Sequence, residues 1–452
     1  MSTVAGQAGQ AQTRRGPAGQ GLAAVAIAIG YILNPLNGSL AVTAYPQLSE
    51  YFDVPYAHMS AMVMYFMAAT AVGQPLAGGI GDLLGRKNIF LVGIAGFTLA
   101  SAMAAMAETY PALLGWRVTQ AAFSGVIMAN GMAMIAQVAP KEKIGTYVGF
   151  LTSAFVAATV LGFTLGGILL QISSWPILFW LNVPLGVVAF ILAVFFIPRD
   201  TTGKARFTAL SFMGVPFLPL ALGLQAIVQG ESYAWYLLAF VLALAGMAYG
   251  VTRSEHSRAQ LGDFLNRRFN LGCLLLLFSI ALHFAVMFTL PAWSQAALGI
   301  DSAMMGVYFS LIAGAQVLSS PVLGRWADQR GDGMVRALAA VTIVTSIAIL
   351  VFFLNKITFA VSLVILGCGM AAAQLVAQRA SLLASKEESR ALAMGIFSSY
   401  RSIGGLSGNA LAAVLLAGYA TITAGAGVQV LQWGFVLFVV PAVVVLMVLR
   451  ER

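Results

Sequence analysis

The chain has 452 residues, of which 60% are hydrophobic and 9% charged, with a mean hydropathy of +0.90 and a formal net charge of +9. Soluble proteins carry about a quarter of their residues as charges, so this composition excludes a soluble globular domain and indicates a membrane protein. The basic excess does not point to nucleic acid: its Lys and Arg residues come singly or in pairs, with no aromatic–basic surface beside them, and topology explains their placement better.

Residues 1–20 form a Gly/Ala/Gln-rich polar arm, expected to be disordered. Thr13-Arg14-Arg15 is followed by Gly16 and Pro17, not by the apolar residues of a twin-arginine signal. A membrane span needs roughly 20 apolar residues. Spans are predicted at 22–44, 58–80, 88–107, 111–137, 145–170 and 175–197, then 209–228 and 233–252. The last six are predicted at 270–293, 303–324, 335–354, 357–384, 391–417 and 428–449. Cys273 and Cys368 fall inside spans and are expected to pack as small hydrophobes, not as a disulfide or metal site. No metal, cofactor or catalytic residue is predicted.

Charge placement fixes the count. Twenty of the 24 basic residues lie in alternate loops, beginning with the N-terminal arm, and the opposite loops hold only Lys356. The positive-inside rule then puts both termini in the cytoplasm and requires an even number of spans. Fourteen is expected, because 209–252 is too apolar to be a loop.

The segment Pro75-Leu-Ala-Gly78-Gly-Ile-Gly-Asp82-Leu-Leu-Gly85-Arg86-Lys87 closes the second span. Its frame returns, shifted by 246 residues, as Pro321-Val-Leu-Gly324-Arg-Trp-Ala-Asp328-Gln-Arg-Gly331. The second copy has Asp332 and Gly333 where the first has Arg86 and Lys87. Lys141-Glu142 and Lys386-Glu387, 245 residues apart, precede spans five and thirteen. The predicted fold is therefore an all-α polytopic membrane protein. Two six-helix bundles are related by a pseudo-two-fold repeat, and two helices are inserted between them. The divisions are 1–20, 21–198, 199–266 (linker with the extra helices) and 267–452. Parallel repeats of this kind place a transport site between the halves. Gly78 permits close helix contact, Gly85 permits a tight reversal, and Asp82 can pair with a helix N-terminus or an arginine.

Intramembrane charge is expensive and marks function or a buried partner. Arg117 in span four either faces a cavity or snorkels to the interface, and Gln120, one turn on, can share its partner. Arg401 lies about ten residues into span thirteen with no carboxylate in any span to neutralise it. Carbonyls, Asn409, water or an anionic substrate must satisfy it. All fifteen acids map to loops or helix ends. His283 in span nine is the one side chain placed mid-membrane that ordinarily titrates near neutrality. Asn34, Asn37, Tyr65, Asn130, His283, Tyr308, Gln316 and Gln374 offer polar contacts, for cavity or for packing.

The residues resemble the major facilitator superfamily, in its fourteen-span drug:proton antiporter branch. Gly78, Asp82, Gly85, Arg86 and Lys87 match that superfamily's loop motif, and Arg117-Val-Thr-Gln120 is similar to its Arg-x-x-Gln motif. Gly162-Phe163-Thr-Leu-Gly166-Gly167 resembles the antiporter motif with Phe163 in place of proline. Trp175-Pro-Ile-Leu-Phe-Trp180-Leu-Asn182-Val-Pro184-Leu-Gly186, Leu265-Asn-Arg-Arg-Phe269 and Arg401-Ser-Ile-Gly404-Gly405 are also similar to the branch. The branch carries an acid in span one where this chain has Asn37.

The resemblance implies a conformational switch at Gly78, Asp82, Gly85, Arg86 and Lys87, and at Gly324, Asp328 and Gly331. Asp82 would latch the two halves in the outward-facing state. Asn37, Arg117, Gln120, His283 and Arg401 become candidates for coupling or substrate binding. Gly162, Gly166, Gly167, Asn182 and Pro184 become a packing motif. The expected protein is a monomeric, multi-pass transporter of a bacterial inner membrane and not an enzyme. It would export small amphipathic molecules or drugs by alternating access, coupled to protons, with the lipid bilayer and its substrate as partners. The alternatives are a metabolite or organic-anion symporter or facilitator and, more remotely, a membrane-embedded sensor.

Overall fold

The computed structural model describes residues 17–54, 57–198, 208–216, 218–220, 222–223, 226, 232–300, 302–352 and 355–421. In lipid an apolar run must satisfy its own peptide groups, and the described residues contain helices and no strand. The first set comprises α1 (Pro17–Thr43), the short α2 (Tyr45–Tyr51), α3 (Ala57–Leu84), α4 (Arg86–Ala105), α5 (Tyr110–Val138), α6 (Ile144–Ile172), α7 (Pro176–Trp180) and α8 (Asn182–Phe196). Then come α9 (Ala234–Arg253) and the polar α10 (Glu255–Phe264). The second set is α11 (Arg267–Leu298), α12 (Ser302–Arg330), α13 (Asp332–Phe352), α14 (Lys356–Ala384) and α15 (Arg390–Thr421).

Twelve predicted spans coincide with these helices to within a few residues. Among the described residues, ten helices are long and apolar enough to cross a membrane. Span six is divided at Leu181 into α7 and α8. The predicted span 209–228 is described only in part, beginning with a 3-10 turn at Ala209–Phe212, and span 428–449 lies outside the described residues. The helices that close on the repeated motif run longer than predicted. α3 has 28 residues and α12 has 29, so at about 1.5 Å per residue each is longer than the roughly 30 Å hydrocarbon core. Each carries an internal proline at the equivalent position, Pro75 and Pro321.

Packing follows the sequence repeat. α1 lies along α6 as α11 lies along α15; α4 packs on α5 as α13 packs on α14; α3 packs on α5 as α12 packs on α14. The two sets meet through α3 against α15 and, equivalently, α12 against α6. Most of the large buried side chains, including Phe90, Phe97, Phe359 and Phe397, sit inside this framework, and lipid-facing residues such as Ile172 and Phe195 remain exposed.

Candidate functional site

The repeated motif builds two clasps. Gly85 and Gly331 both adopt positive φ, 103° and 77°, a conformation that glycine enters without a Cβ penalty. This turns the chain sharply between α3 and α4 and between α12 and α13. One turn before each glycine, the aspartate reaches across to the other set. Asp82 accepts hydrogen bonds from the backbone amides of Ala391 (3.0 Å) and Leu392 (2.8 Å), at the start of α15. Asp328 accepts from those of Gly145 and Thr146 at the start of α6, each at 2.8 Å, and from the Thr146 hydroxyl. Every partner is displaced by the same 246 residues. A carboxylate is favoured there because the first amides of a helix have no intrahelical acceptor and the helix dipole is positive at that end.

Each clasp holds an arginine, from a different source. Arg86 Nε donates to Asp82 at 2.9 Å, and Arg86 also donates to the carbonyl of Glu387. Burial lifts the Asp82 carboxyl above its ordinary range, opposed by the Arg86 charge and the two helix amides. At the second clasp the position equivalent to Arg86 is Asp332, and the cation is Arg379 of α14. Its guanidinium pairs with Asp328 and lies 2.8 Å from Asp332, which also pairs with Arg268 at 3.1 Å. Lys87 belongs to neither clasp: its ammonium donates to the carbonyls of Val194 (2.8 Å) and Ile197 (2.6 Å) at the end of α8.

Close helix approach supports the clasps. A Cβ on Gly78 would collide with the backbone of Ala391, and one on Gly324 with that of Gly145. One to two turns further in, Ser153 donates to the Val317 carbonyl at 3.0 Å, and Ser399 to the Ala71 carbonyl at 2.8 Å. These are again the same bond 246 residues apart.

The predicted coupling candidates fall into two groups. Asn37, Arg117 and Gln120 are buried together among α1, α4, α5 and α8. Arg117 donates to Gln120 Oε1 at 2.7 Å, Asn37 exchanges amide hydrogen bonds with Gln120 (3.0 and 3.2 Å), Gln120 donates to Ser101 at 2.6 Å, and Asn182 donates to Asn37 at 3.0 Å. Arg117 is 2% exposed, with Phe66 and Phe179 against its guanidinium, so it is held inside the protein and does not snorkel. Asn37 is 1% exposed and faces α5 and α8. Nearby, Asn34 donates to Ser124.

His283 and Arg401 form the second group, within electrostatic reach of each other. His283 Nδ1 lies 3.5 Å from the Met370 sulfur and edge-on to Phe284. Arg401 borders a small, closed space lined by Tyr31, Met132, Thr152, Phe155 and Gln378. Its guanidinium stands 5.1 Å from the centroid of Phe155. Both helix sets contribute walls, and two wall pairs, Met132/Gln378 and Phe155/Arg401, are themselves 246 residues apart. The space straddles the pseudo-two-fold axis.

The remaining candidates are packing contacts or lie apart from both groups. Gly162 and Gly166 press against Ser39 and Thr43 of α1, whereas a Cβ on Gly167 would meet nothing within 4 Å. Pro184 is exposed in the first turn of α8, where proline is tolerated. Asn130 donates to the Ala77 carbonyl at 3.2 Å, Gln316 to the Met370 sulfur at 3.6 Å, and the Tyr308 ring lies tilted against Phe359. Gln374 is buried, and Tyr65 is half-buried. The Asn409 side chain lies outside the described residues. Tyr31, Thr152, Phe155, Gln378, Arg379 and the paired serines were not singled out from sequence. Extending the 246-residue offset beyond the loop motif would have found the serines and the two cavity pairs.

Comparison with known proteins agrees with this architecture. The Major Facilitator Superfamily profile matches residues 27–265 and 271–452. The MFS-type transporter YwoD of Bacillus subtilis is 26% identical over 413 residues, covering 86% of this chain and 89% of its own. The tetracenomycin C resistance and export protein of Streptomyces glaucescens is 24% identical over 405 residues, 87% and 75% of the respective chains. Among solved structures, the human organic anion transporter MFSD10 superposes with a TM-score of 0.68 at 16% identity, over 94% of this chain and 99% of that one.

Proposed function

The chain belongs to the major facilitator superfamily, and from that premise we propose that it exports small amphipathic molecules by alternating access, coupled to protons. In this reading residues 21–198 and 267–452 rock against each other about the central space. Residues 199–266 carry two added helices, and the clasp face is cytoplasmic in a bacterial inner membrane, with both termini on that side. The protein acts as a monomer, and its fourteen-span plan is that of the drug:proton antiporters.

The observation that carries the proposal is the pair of clasps. Each puts a buried carboxylate from one helix set onto the first amides of a helix in the other. Such a contact can exist only while that face is closed, so it favours one conformation over its alternative. Export is supported by the relatives named for drug resistance, among them the tetracenomycin C exporter. The symporter or facilitator reading is kept in view by the lack of any Asp or Glu in the predicted spans.

Flux in proteoliposomes tests the proposal, using a mixed panel of neutral, anionic and cationic amphiphiles with a pH gradient imposed and then collapsed. Accumulation that follows the gradient supports proton-coupled export. Equal flux in both directions, indifferent to the gradient, would establish a facilitator instead.

A further inference from the structure

Arg401 has no ionic partner among the described residues. Among the described residues its guanidinium has no hydrogen-bonding acceptor and no carboxylate beside it; its neighbours are the Phe155 ring and, electrostatically, Tyr31. No Asp or Glu occurs in any predicted span. Arg117 makes the contrast: it lies against the Gln120 carbonyl and between two rings, with no solvent access to speak of. Arg401 is half-buried and borders the central space. A cation–π contact balances part of a guanidinium's charge but supplies no acceptor for its five N–H groups.

The rest of the lining fits an acidic guest. Tyr31 brings a hydroxyl, while the single Thr152 proton is already taken up by the Val148 carbonyl and Gln378 Oε1. Thr152 is hydrogen-bonded to Gln378 Oε1 at 2.9 Å, which leaves the Gln378 amide NH2 as a donor. Phe155, Met132 and the Tyr31 ring are apolar walls, with Tyr31 and Phe155 at a centroid distance of 6.0 Å. In this closed form the lining side chains meet one another, so a guest requires the two helix sets to part.

We propose that Arg401 is the anion-binding subsite of the transport cavity, and that the cargo is an amphipathic organic monoanion whose carboxylate meets Arg401 while its aromatic body lies against Phe155 and Tyr31. This rests on the transporter reading above and specifies its substrate class. Bound cargo neutralises a cation that, among the described residues, has no carboxylate beside it at the interface of the two helix sets. A planar carboxylate can take two parallel N–H donors from the guanidinium.

Binding to the purified full-length protein separates this from other cargo classes. Isothermal titration would compare naphthoate with naphthamide and naphthyltrimethylammonium, which share the ring and differ in charge, and with chloride as a simple anion. Naphthoate is expected to bind at least about tenfold more tightly than naphthamide, a difference of ~1.4 kcal/mol, with the ammonium weakest and chloride unable to displace it at equal concentration. Arg401→Gln should erase the preference for naphthoate, and Arg401→Lys should keep part of it. Equal binding of naphthoate and naphthamide, or an unchanged preference in Arg401→Gln, overturns the assignment, as does tight chloride or ammonium binding with none by naphthoate. Failure of all the aromatic probes to bind also overturns the aromatic-carboxylate class. If Arg401→Gln does not fold, the ranking on the unaltered protein and on Arg401→Lys decides. Flux of any panel member in proteoliposomes without a carboxylate preference sinks this inference alone. Absence of flux for every member counts against the transporter reading, while the binding ranking still stands on its own.

Discussion

The clasps formed by Asp82 and by Asp328 are alike in backbone and different in charge. Both aspartates cap a helix of the opposite set, both precede a glycine of positive φ, and both are backed by a serine-to-carbonyl bond at the same offset. Yet the first takes its cation from the next turn of its own motif, Arg86, and the second from a neighbouring helix, Arg379. Amide capping has strict geometry, so it keeps its residue. Neutralising a carboxylate needs a positive charge within a few ångströms from any direction, so the arginine is free to move to another element, and an acid, Asp332, occupies the vacated position. The interiors differ more. Ser101, Arg117 and Gln120 knit the first set together, and the residues 246 positions later are Ile347, Leu363 and Leu366.

Removing the shared element should have the largest effect. Breaking a buried, hydrogen-bonded ion pair costs about 3–5 kcal/mol, so Asp82→Asn or Asp328→Asn should each depopulate the closed face by well over tenfold. The expected outcome is loss of most transport in either variant. Hydrogen exchange should rise at the amides of 391–392 for Asp82→Asn and at 145–146 for Asp328→Asn. Protection at both helix starts unchanged from the parent would show that the clasps contribute nothing to closure.

The next test converts one clasp into the other. Arg379→Met removes the cation beside Asp328 and one of the two beside Asp332, which keeps Arg268, and should reduce transport severalfold and lower the melting temperature. Adding Asp332→Arg in the same chain restores a cation at the position that Arg86 occupies in the first copy. Recovery of a large part of the lost stability is expected by thermal unfolding in detergent. If the double variant is no better than Arg379→Met alone, the two clasps are not interchangeable, and Arg379 has a further task on α14.

This exchange also explains what could be read in advance. Apolar length and alternating charge located the helices, because bilayer thickness and the positive-inside rule act on composition directly. The Asp82 and Asp328 frames were visible because one short segment carries the whole geometry. Arg379 was not, since its partner is 51 residues away and no local spacing connects them. Asn37, Arg117 and Gln120 stood out as polar residues in apolar runs, but their burial among α4, α5 and α8 depends on helix rotation, which the sequence pattern of an almost wholly apolar helix barely encodes. Tyr31 and Phe155 matter only through Arg401, so by themselves they look like ordinary apolar packing.

Making the first interior resemble the second should cost less than losing a clasp. Gln120→Leu installs the residue type found 246 positions later, and it leaves Arg117, Asn37 and Ser101 each short of a partner. Buried polar groups left unsatisfied cost about 1–3 kcal/mol each, partly relieved by rearrangement. A lower melting temperature is expected, with partial recovery in Gln120→Leu combined with Arg117→Leu, because removing both partners is milder than removing one. A double variant less stable than Gln120→Leu alone would mean that Arg117 contributes more to this core through Tyr45 and the two flanking rings than through Gln120.

The smallest effect is the most demanding test of symmetry. Ser153→Ala and Ser399→Ala each remove one side-chain hydrogen bond to a carbonyl of the other helix set, worth about 1 kcal/mol. The two bonds match in type and in offset, while Ser399 and Ala71 are more deeply buried than Ser153 and Val317, and Ser399 also reaches the Gly395 carbonyl. Similar decreases in unfolding free energy are expected, and the double variant should show their sum to within ~0.5 kcal/mol, since the sites share no partner. A clear inequality would mean that α3 against α15 and α12 against α6 close with different tightness. Ser399 sits two residues before Arg401, so a larger loss there would place the tighter contact beside the central cation, where an arriving anion would first be felt.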